Sequence, residues 1–253
     1  MNNEFIYLSF DAEPTWCTLP VNHLRSDWEI YKDGSADLTK IFFDFCIERG
    51  LKPTIFFVGQ FAKRNPDLVI DAVKNGFEIG SHSMWHEDLA LMDDNTFLSD
   101  VSSSKELLED IAGIEVVRFR APSFSISNYQ IDLLASAGYL IDSSSTNALR
   151  LHGGNNVNNS LIKSYSFEGL NIFGKQFTLL GGGYFRILPL NLIRRLNVRK
   201  LGNMIYLHPH DLQFIDCKFN NMSRSQKVMR GLRIGSTLHK LDFLNRNVQL
   251  VGF

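Results

Sequence analysis

The sequence predicts an α/β fold built on a parallel sheet. Three observations carry that prediction. Short apolar runs alternate with amphipathic segments over the first two thirds of the chain, which is the pattern of strands joined by right-handed helical crossovers. The residues with chemical potential recur where the apolar runs end. With 253 residues, a 44% hydrophobic fraction and 20 Phe, the chain has enough apolar matter for one large core, and single α/β barrels commonly have this length.

The elements follow in order. "FIYLSFD" reads as a strand ending in an acid. "ADLTKIFFDFCIERG" reads as a helix, with Leu38, Ile41, Phe42 and Phe45 at i, i+3, i+4 and i+7 and Gly50 at its C-terminal end. "PTIFFVG" is apolar and aromatic throughout, as expected of a strand covered on both faces. "NPDLVIDAVKNG" has Asn at the N-cap, Pro in the first turn and a terminal Gly. "FEIGSH" is a strand running into the stretch "GSHSMWH". A long helix over residues 94–112 comes next, then a strand at "VVRFRAP", a helix at "NYQIDLLASAG" and a strand at "YLIDSS". Between 144 and 186 the alternation breaks. "TNALRLHGGNNVNNS" is polar and loop-like, and short strand-like pieces lead to "LLGGGYFRILP", so an antiparallel insertion is expected here rather than a second domain. Helix character returns at 189–200, a strand at "NMIYLHPHD", a helix at 223–244, and a short strand closes the chain. The whole of 1–253 is expected to be one catalytic domain.

Composition excludes several classes. The formal net charge is -1 with 21% charged residues, so no basic field for nucleic acid is present. Two locally basic runs, "RRLNVRK" and "RSQKVMRGLR", are expected to be solvated helix faces. Cys17, Cys46 and Cys217 are too few and too scattered for a disulfide framework, and none lies in a CxxC pair. The N-terminus lacks a basic n-region followed by a long apolar stretch, and no apolar run reaches the ~20 residues of a spanning helix. A cytoplasmic protein without a transmembrane segment is expected.

Candidate chemistry gathers at the ends of the strands, where α/β folds build active sites. His82 and His86 are spaced to hold a metal, although without the Glu of an HExxH helix; as a pair alone they also fit two surface histidines. Asp11 and Glu13 in "SFDAEP" would share a strand face, so one acid could ligate a metal and the other take a proton. Arg120 in "FRAPSF" could hold a carboxylate ionised and oriented. In "IYLHPHDL", His208 or His210 could act as a general acid, or the two could chelate a second metal. Asp142 is a candidate to orient such a histidine. "GGGYF" lacks the strand and GxGxxG context of a nucleotide site and reads as a tight turn near the site rim. Trp85, Tyr184 and Phe185 could stack on sugar faces or pack in the core.

The ordered set "SFDAE", "SHSMWH", "FRAPSFS", "IDSSS" and "YLHPHD" resembles the polysaccharide deacetylase (NodB-homology) family. It is similar especially to the branch associated with bacterial exopolysaccharide and lipopolysaccharide biosynthesis, where "RAPSFSI", "GGGYFR" and "YLHP" also recur. The resemblance runs from about residue 4 to 210. It implies a distorted (β/α)7-type barrel, one divalent metal (usually zinc), and hydrolytic removal of an N-acyl group from an amino sugar. Carried over by residue, it makes Asp11 the general base, His82 and His86 metal ligands, Arg120 the partner of the base, Asp142 the group orienting the acid, and His208 the acid. Many members bind the metal through a second consecutive aspartate, but Ala12 stands there in this chain, and Glu13 is the available substitute.

The activity expected is therefore a metal-dependent N-deacetylase of an amino-sugar substrate that is free, nucleotide-linked, lipid-linked or polymeric. Peripheral contact with a membrane-linked precursor is compatible with that reading. The alternatives are a deformylase of a lipid-linked formamido sugar, which would use the same machinery with a smaller acyl pocket, and a glycan-binding barrel that has lost activity. A ring-opening amidohydrolase with His208 and His210 as a metal pair is a further rival, but its HxH normally lies on the first strand.

Overall fold

The computed structural model describes residues 5–18, 25–26, 28, 33–144, 161–172, 175–195, 198, 201–213 and 234–253. Outside them lie the polar stretch at 146–160, the basic run at 224–233, Cys217, and the start of the helix expected at 223–244.

The first strand, β1 (Phe5–Ala12), organises the sheet. It pairs in parallel with β2 (Thr54–Phe57) along Ser9–Ala12, with β9 (Met204–Leu207) along Tyr7–Phe10, and with β10 (Gln249–Val251) along Phe5–Tyr7. From β2 the sheet continues through β3 (Glu78–Ser81), β4 (Arg118–Phe119), β5 (Ile141–Asp142) and β6 (Lys163–Ser164), every pair parallel. The result is a parallel-strand half-barrel, the fold class expected.

Alternation along β1 separates two cores. Ile6, Leu8, Phe10 and Ala12 face the helices and belong to the main apolar cluster. Phe10 stacks on Phe42 of α1 (Ser35–Glu48) with ring centroids 4.3 Å apart, an arrangement that contributes ~0.5–1.5 kcal/mol beyond area burial. Tyr7 on the opposite face joins a smaller cluster with Phe56, Phe167, Met204, Tyr206 and Phe253 inside the half-barrel. Asp11 shares the parity of Tyr7, so the strand period turns its side chain to the inner face, above that aromatic cluster.

In the first 140 residues the helices follow the expected order, with two differences. In α1, Leu38, Phe42 and Phe45 are buried, but Ile41 is 44% exposed. The buried stripe instead takes in Phe43 and Cys46, because two adjacent Phe at 42 and 43 rotate the apolar face away from Ile41. A short helix, α2 (Gly59–Arg64), also stands between β2 and α3 (Pro66–Lys74) where none was read. The long helix α4 spans Asp94–Ala112, with the Asp93 carboxylate accepting from Thr96 N–H at its start and Gly113 at φ 67° at its end. In α5 (Asn128–Ser136), Ser127 and Gln130 form a capping box.

The segment expected as an insertion is divided. β6 extends the main sheet beside β5, whereas β7 (Leu170–Ile172) and β8 (Lys175–Phe177) form the expected antiparallel hairpin. The chain then forms α6 (Gly182–Ile187), α7 (Leu190–Arg195), β9, α8 (Thr237–Asn245) and β10. Among the described residues, no helix is long and apolar enough to cross a membrane.

Candidate active site

The strand ends bring two groups of side chains together at one end of the half-barrel. The first contains Glu13, His82 and His86. Glu13 follows β1, His82 follows β3, and His86 sits four residues later in a loop where Ser83 and His86 both have left-handed backbones, at φ 64° and 59°. A non-glycine residue in that region is strained, and two in one short loop mark a segment held by its surroundings.

The chemistry of the donors fits a cation. His82 Nδ1 lies 2.7 Å from the carbonyl oxygen of Arg120. A carbonyl only accepts, so Nδ1–H donates and the lone pair of the neutral ring is left on Nε2. That Nε2 is 3.5 Å from Glu13 Oε2, and His86 Nε2 is 2.8 Å from the same oxygen. Neither carboxylate oxygen of buried Glu13 receives a well-formed hydrogen bond. Two imidazole nitrogens and a carboxylate that all lie within 4.8 Å of one another are a ligand set suited to a divalent ion with an open position. Burial works to raise the Glu13 carboxyl, but the imidazoles of His86 and His82 outweigh it and hold the group well below the usual carboxylate range.

The second group carries protons. Asp11 Oδ1 accepts from Arg120 Nη1 at 2.6 Å, both residues being buried. Arg120 also donates to Ser143 Oγ at 2.9 Å, and its guanidinium lies over the rings of Phe56 and Phe167, at 4.2 and 5.1 Å. Burial lowers the guanidinium pKa and the Asp11 charge opposes that shift. Removing one member of such a buried pair typically costs ~3–5 kcal/mol, because the other charge is left uncompensated. Arg120 is therefore no surface ion pair; it locks Asp11 in one orientation.

His208 follows β9 directly. Its Nε2 lies 3.7 Å from Asp11 Oδ2 and its Nδ1 lies 2.9 Å from Asp211 Oδ2. Burial pushes the imidazole toward neutrality, but the bond to Asp211 prevails, with help from the charges of Glu13 and Asp11, and raises its pKa to about 9. Asp211, which burial would raise, is held down to about 2 by His210, His208 and Arg186. His210 stacks on His208 with centroids 4.9 Å apart.

One sequence expectation is corrected by this geometry. Asp142 was expected to orient the acid, but the carboxylate on His208 is that of Asp211. Oδ1 of Asp142 instead accepts from the backbone N–H of Ser144 at 3.0 Å and from its hydroxyl at 2.5 Å. Asp211 is closer in sequence and the Pro209 turn folds it back, so that the same carboxylate also accepts from the His208 backbone N–H at 3.0 Å. The signal was present in "HPHD", since an acid three residues after the residue that caps a turn is the pattern of a capping box. Arg186, 3.2 Å from Asp211 Oδ1, was missed altogether. Nothing local in "GGGYFR" points 25 residues ahead.

The glycines of that motif open a helix instead of the tight turn expected: Gly181 is the N-cap of α6, and Gly182 and Gly183 are its first residues. A Cβ on Gly181 would lie 1.8 Å from the Tyr206 ring, and one on Gly182, at φ 48°, would lie 3.4 Å from His208. Phe185 is buried in the core, Trp85 is half-buried, and Tyr184 is 55% exposed on α6 beside these glycines. Cys17 and Cys46 are buried.

A parallel half-barrel with a ligand trio and a proton-transfer set at its strand ends defines a class of protein, and comparison with known proteins narrows it. A family model described as Polysaccharide deacetylase matches residues 1–141, and one described as Domain of unknown function (DUF3473) matches 156–251. The first match covers more than half of the chain, which therefore belongs to the polysaccharide deacetylase family. Among curated relatives, it is 24% identical over 160 residues to a peptidoglycan-N-acetylglucosamine deacetylase of Bacillus cereus, covering 57% of each chain. It is 31% identical over 107 residues to a bifunctional xylanase/deacetylase of Pseudobutyrivibrio xylanivorans, covering 41% of this chain and 18% of that protein. The chain thus spans little more than half of the one relative's length and under a fifth of the other's. Its fold is similar to that of a family 4 carbohydrate esterase from Streptomyces lividans, with a TM-score of 0.52 at 16% identity over 99% of this chain and 92% of that one. It is also similar to a family 4 pseudoenzyme from Bacillus anthracis, with a TM-score of 0.57 at 11% identity over 100% and 64%.

Proposed function

We propose that the protein hydrolyses the N-acyl amide of an amino sugar, acetyl being the group removed. The observation that supports this most strongly is the convergence of the Glu13, His82 and His86 trio with the Asp11–Arg120 and His208–Asp211 pairs at one end of the sheet. When bound by that trio, a divalent ion, zinc by the chemistry of its ligands, supplies polarisation of the amide carbonyl and acidification of water.

The chain's own residues account for the protons. Asp11, aimed by Arg120, accepts a proton as water adds to the carbonyl carbon. An amine anion is a poor leaving group, so the nitrogen needs a proton as the C–N bond breaks. His208 supplies it from Nε2, because Nδ1 is committed to Asp211. A pKa near 9 keeps that proton on the ring at neutral pH. Tyr184, exposed on the helix whose Gly182 lies against His208, offers a face for a pyranose ring.

The His208, His210 and Asp211 cluster has the spacing of a second metal site. It is better read as acid support, because both Asp211 oxygens already face cationic partners, His208 and Arg186. The same reading treats 1–253 as one catalytic domain, since β9 and β10, from the part matched by the second family model, pair directly with β1. The finer assignment, a step on a precursor of a surface polysaccharide or lipopolysaccharide, rests on the "RAPSFS", "GGGYFR" and "YLHP" likeness. Some of the curated relatives are named for peptidoglycan or chitin instead.

The test is acetate release from a panel of N-acetylated amino sugars, free and carrier-linked, with and without added zinc. Zinc-dependent release from at least one member is the expected result. Release of formate from formamido sugars alone would favour the deformylase, and no release under any metal would favour a glycan-binding barrel that has lost activity.

A further inference from the structure

The metal-ligand loop has a support that neither the motif nor the family match identifies. Asp100 and Ser104 lie one turn apart on α4, on the side facing the loop. Asp100 Oδ1 accepts the backbone N–H of Met84 at 2.8 Å. Ser104 Oγ donates to the carbonyl of Ser83 at 3.1 Å and accepts from Ser81 Oγ at 2.8 Å. The hydroxyl of Ser83 in turn accepts the backbone N–H of His86 at 3.0 Å. From the other side, Gly59 N–H and Gln60 N–H at the start of α2 donate to the carbonyls of Ser83 and Met84, at 2.9 and 3.0 Å. These bonds grip Ser83 and Met84, two of the three residues between the histidines, in a loop where Ser83 and His86 have left-handed backbones.

We infer that Asp100, assisted by Ser104, is a positioning residue for the metal site, holding the strained 83–86 loop so that His86 faces His82 and Glu13. Asp100 is buried, and only its Oδ1 makes a well-formed hydrogen bond. A buried carboxylate with one unsatisfied oxygen is unfavourable for the fold alone. Its other oxygen fixes the backbone of a loop that would otherwise relax toward ordinary φ values and carry His86 out of line. Partners that orient a ligand from outside the coordination shell typically change metal affinity ~10–100-fold when removed.

The inference rests on the reading of Glu13, His82 and His86 as metal ligands, and the experiment separates the two. Zinc affinity is measured by chelator competition for wild type, Asp100→Ala, Asp100→Asn and Ser104→Ala, with thermal melts of the metal-free proteins and absorption spectra of the cobalt(II) forms. Asp100→Ala should bind zinc ~10-fold or more weakly and show an altered cobalt spectrum, with the metal-free melt close to wild type. Asp100→Asn keeps a carbonyl acceptor for Met84 N–H and should recover most of the affinity, and it remains the informative variant if the alanine protein does not fold. Ser104→Ala should weaken zinc by a smaller factor. Equal affinity in wild type and Asp100→Ala overturns the inference and leaves the metal site standing. A wild type that binds no zinc overturns the metal site and this inference with it.

Discussion

The two halves of the candidate site are built differently. The metal half takes Glu13, His82 and His86 from the ends of β1 and β3, strands joined through β2, the first covered by α1 and the second by α4, all within the first 112 residues. The acid half takes His208 and Asp211 from the turn after β9 and depends on Arg186 of α6, which is held in turn by Lys240 of α8 donating to the carbonyls of Phe185 and Arg186 at 3.0 and 2.5 Å. Asp11 on β1 stands between them. The first half is a matter of backbone placement, since once the strands pair, the ligands converge. The second is a chain of charge contacts across long sequence separations, and each link can be removed on its own. The metal half should therefore fail all at once and the acid half by degrees.

The largest effects test that contrast on the metal side. His82→Ala or His86→Ala should lose both bound zinc and turnover, read by elemental analysis and acetate release. Equal metal content in wild type and His82→Ala would remove the site. Glu13→Ala should weaken zinc binding, whereas Asp11→Asn should keep zinc and lose turnover. The reverse result would make Asp11 the ligand and place the base elsewhere.

On the acid side, His208→Ala should lose ~10²-fold or more in turnover, and His210→Ala much less. Asp211→Asn should act through pH. With its partner uncharged, the His208 pKa falls from about 9 toward the ordinary 6.5, so the alkaline limb of the kcat profile should move to lower pH. Stability follows the same linkage. The raised His208 value contributes stability that is complete below pH 6.5 and lost as pH rises through about 9. The depressed Asp211 value contributes stability present above 3.8 and lost as pH falls through about 2. Denaturant titrations should therefore show the largest gap between wild type and Asp211→Asn between those two ordinary values.

Smaller effects sharpen the comparison. Gly181→Ala places a methyl against the Tyr206 ring and should destabilise by ~1–3 kcal/mol, as overpacking does, with slower turnover because β9 carries His208. Asp142→Asn should leave the alkaline limb in place. A shift as large as that of Asp211→Asn would restore Asp142 to the role expected from the motif.

How far the sequence could be read follows the same division. The bounds of α4 were legible because its cap and terminal glycine are local signals. The trio was legible because strand ends announce themselves and Glu13 shares the parity of Asp11. Local reading failed where partners are distant or geometry is tertiary. Arg186 meets Asp211 only through packing, Asp100 reaches Met84 across a helix face, and the rotation of α1 that exposes Ile41 is decided by what its two phenylalanines meet. Asp142 was assigned by analogy of position, and the carboxylate three residues from the acid took its place.

In the proposed mechanism, ligand and acid are separable functions on one scaffold. Zinc content and acetate release measured together on His208→Ala test it most directly. The account predicts a protein that retains one zinc per chain and turns over ~10²-fold or more slowly than wild type. A His208→Ala protein that loses its zinc would contradict it, because His208 would then be a ligand and the two halves a single metal centre.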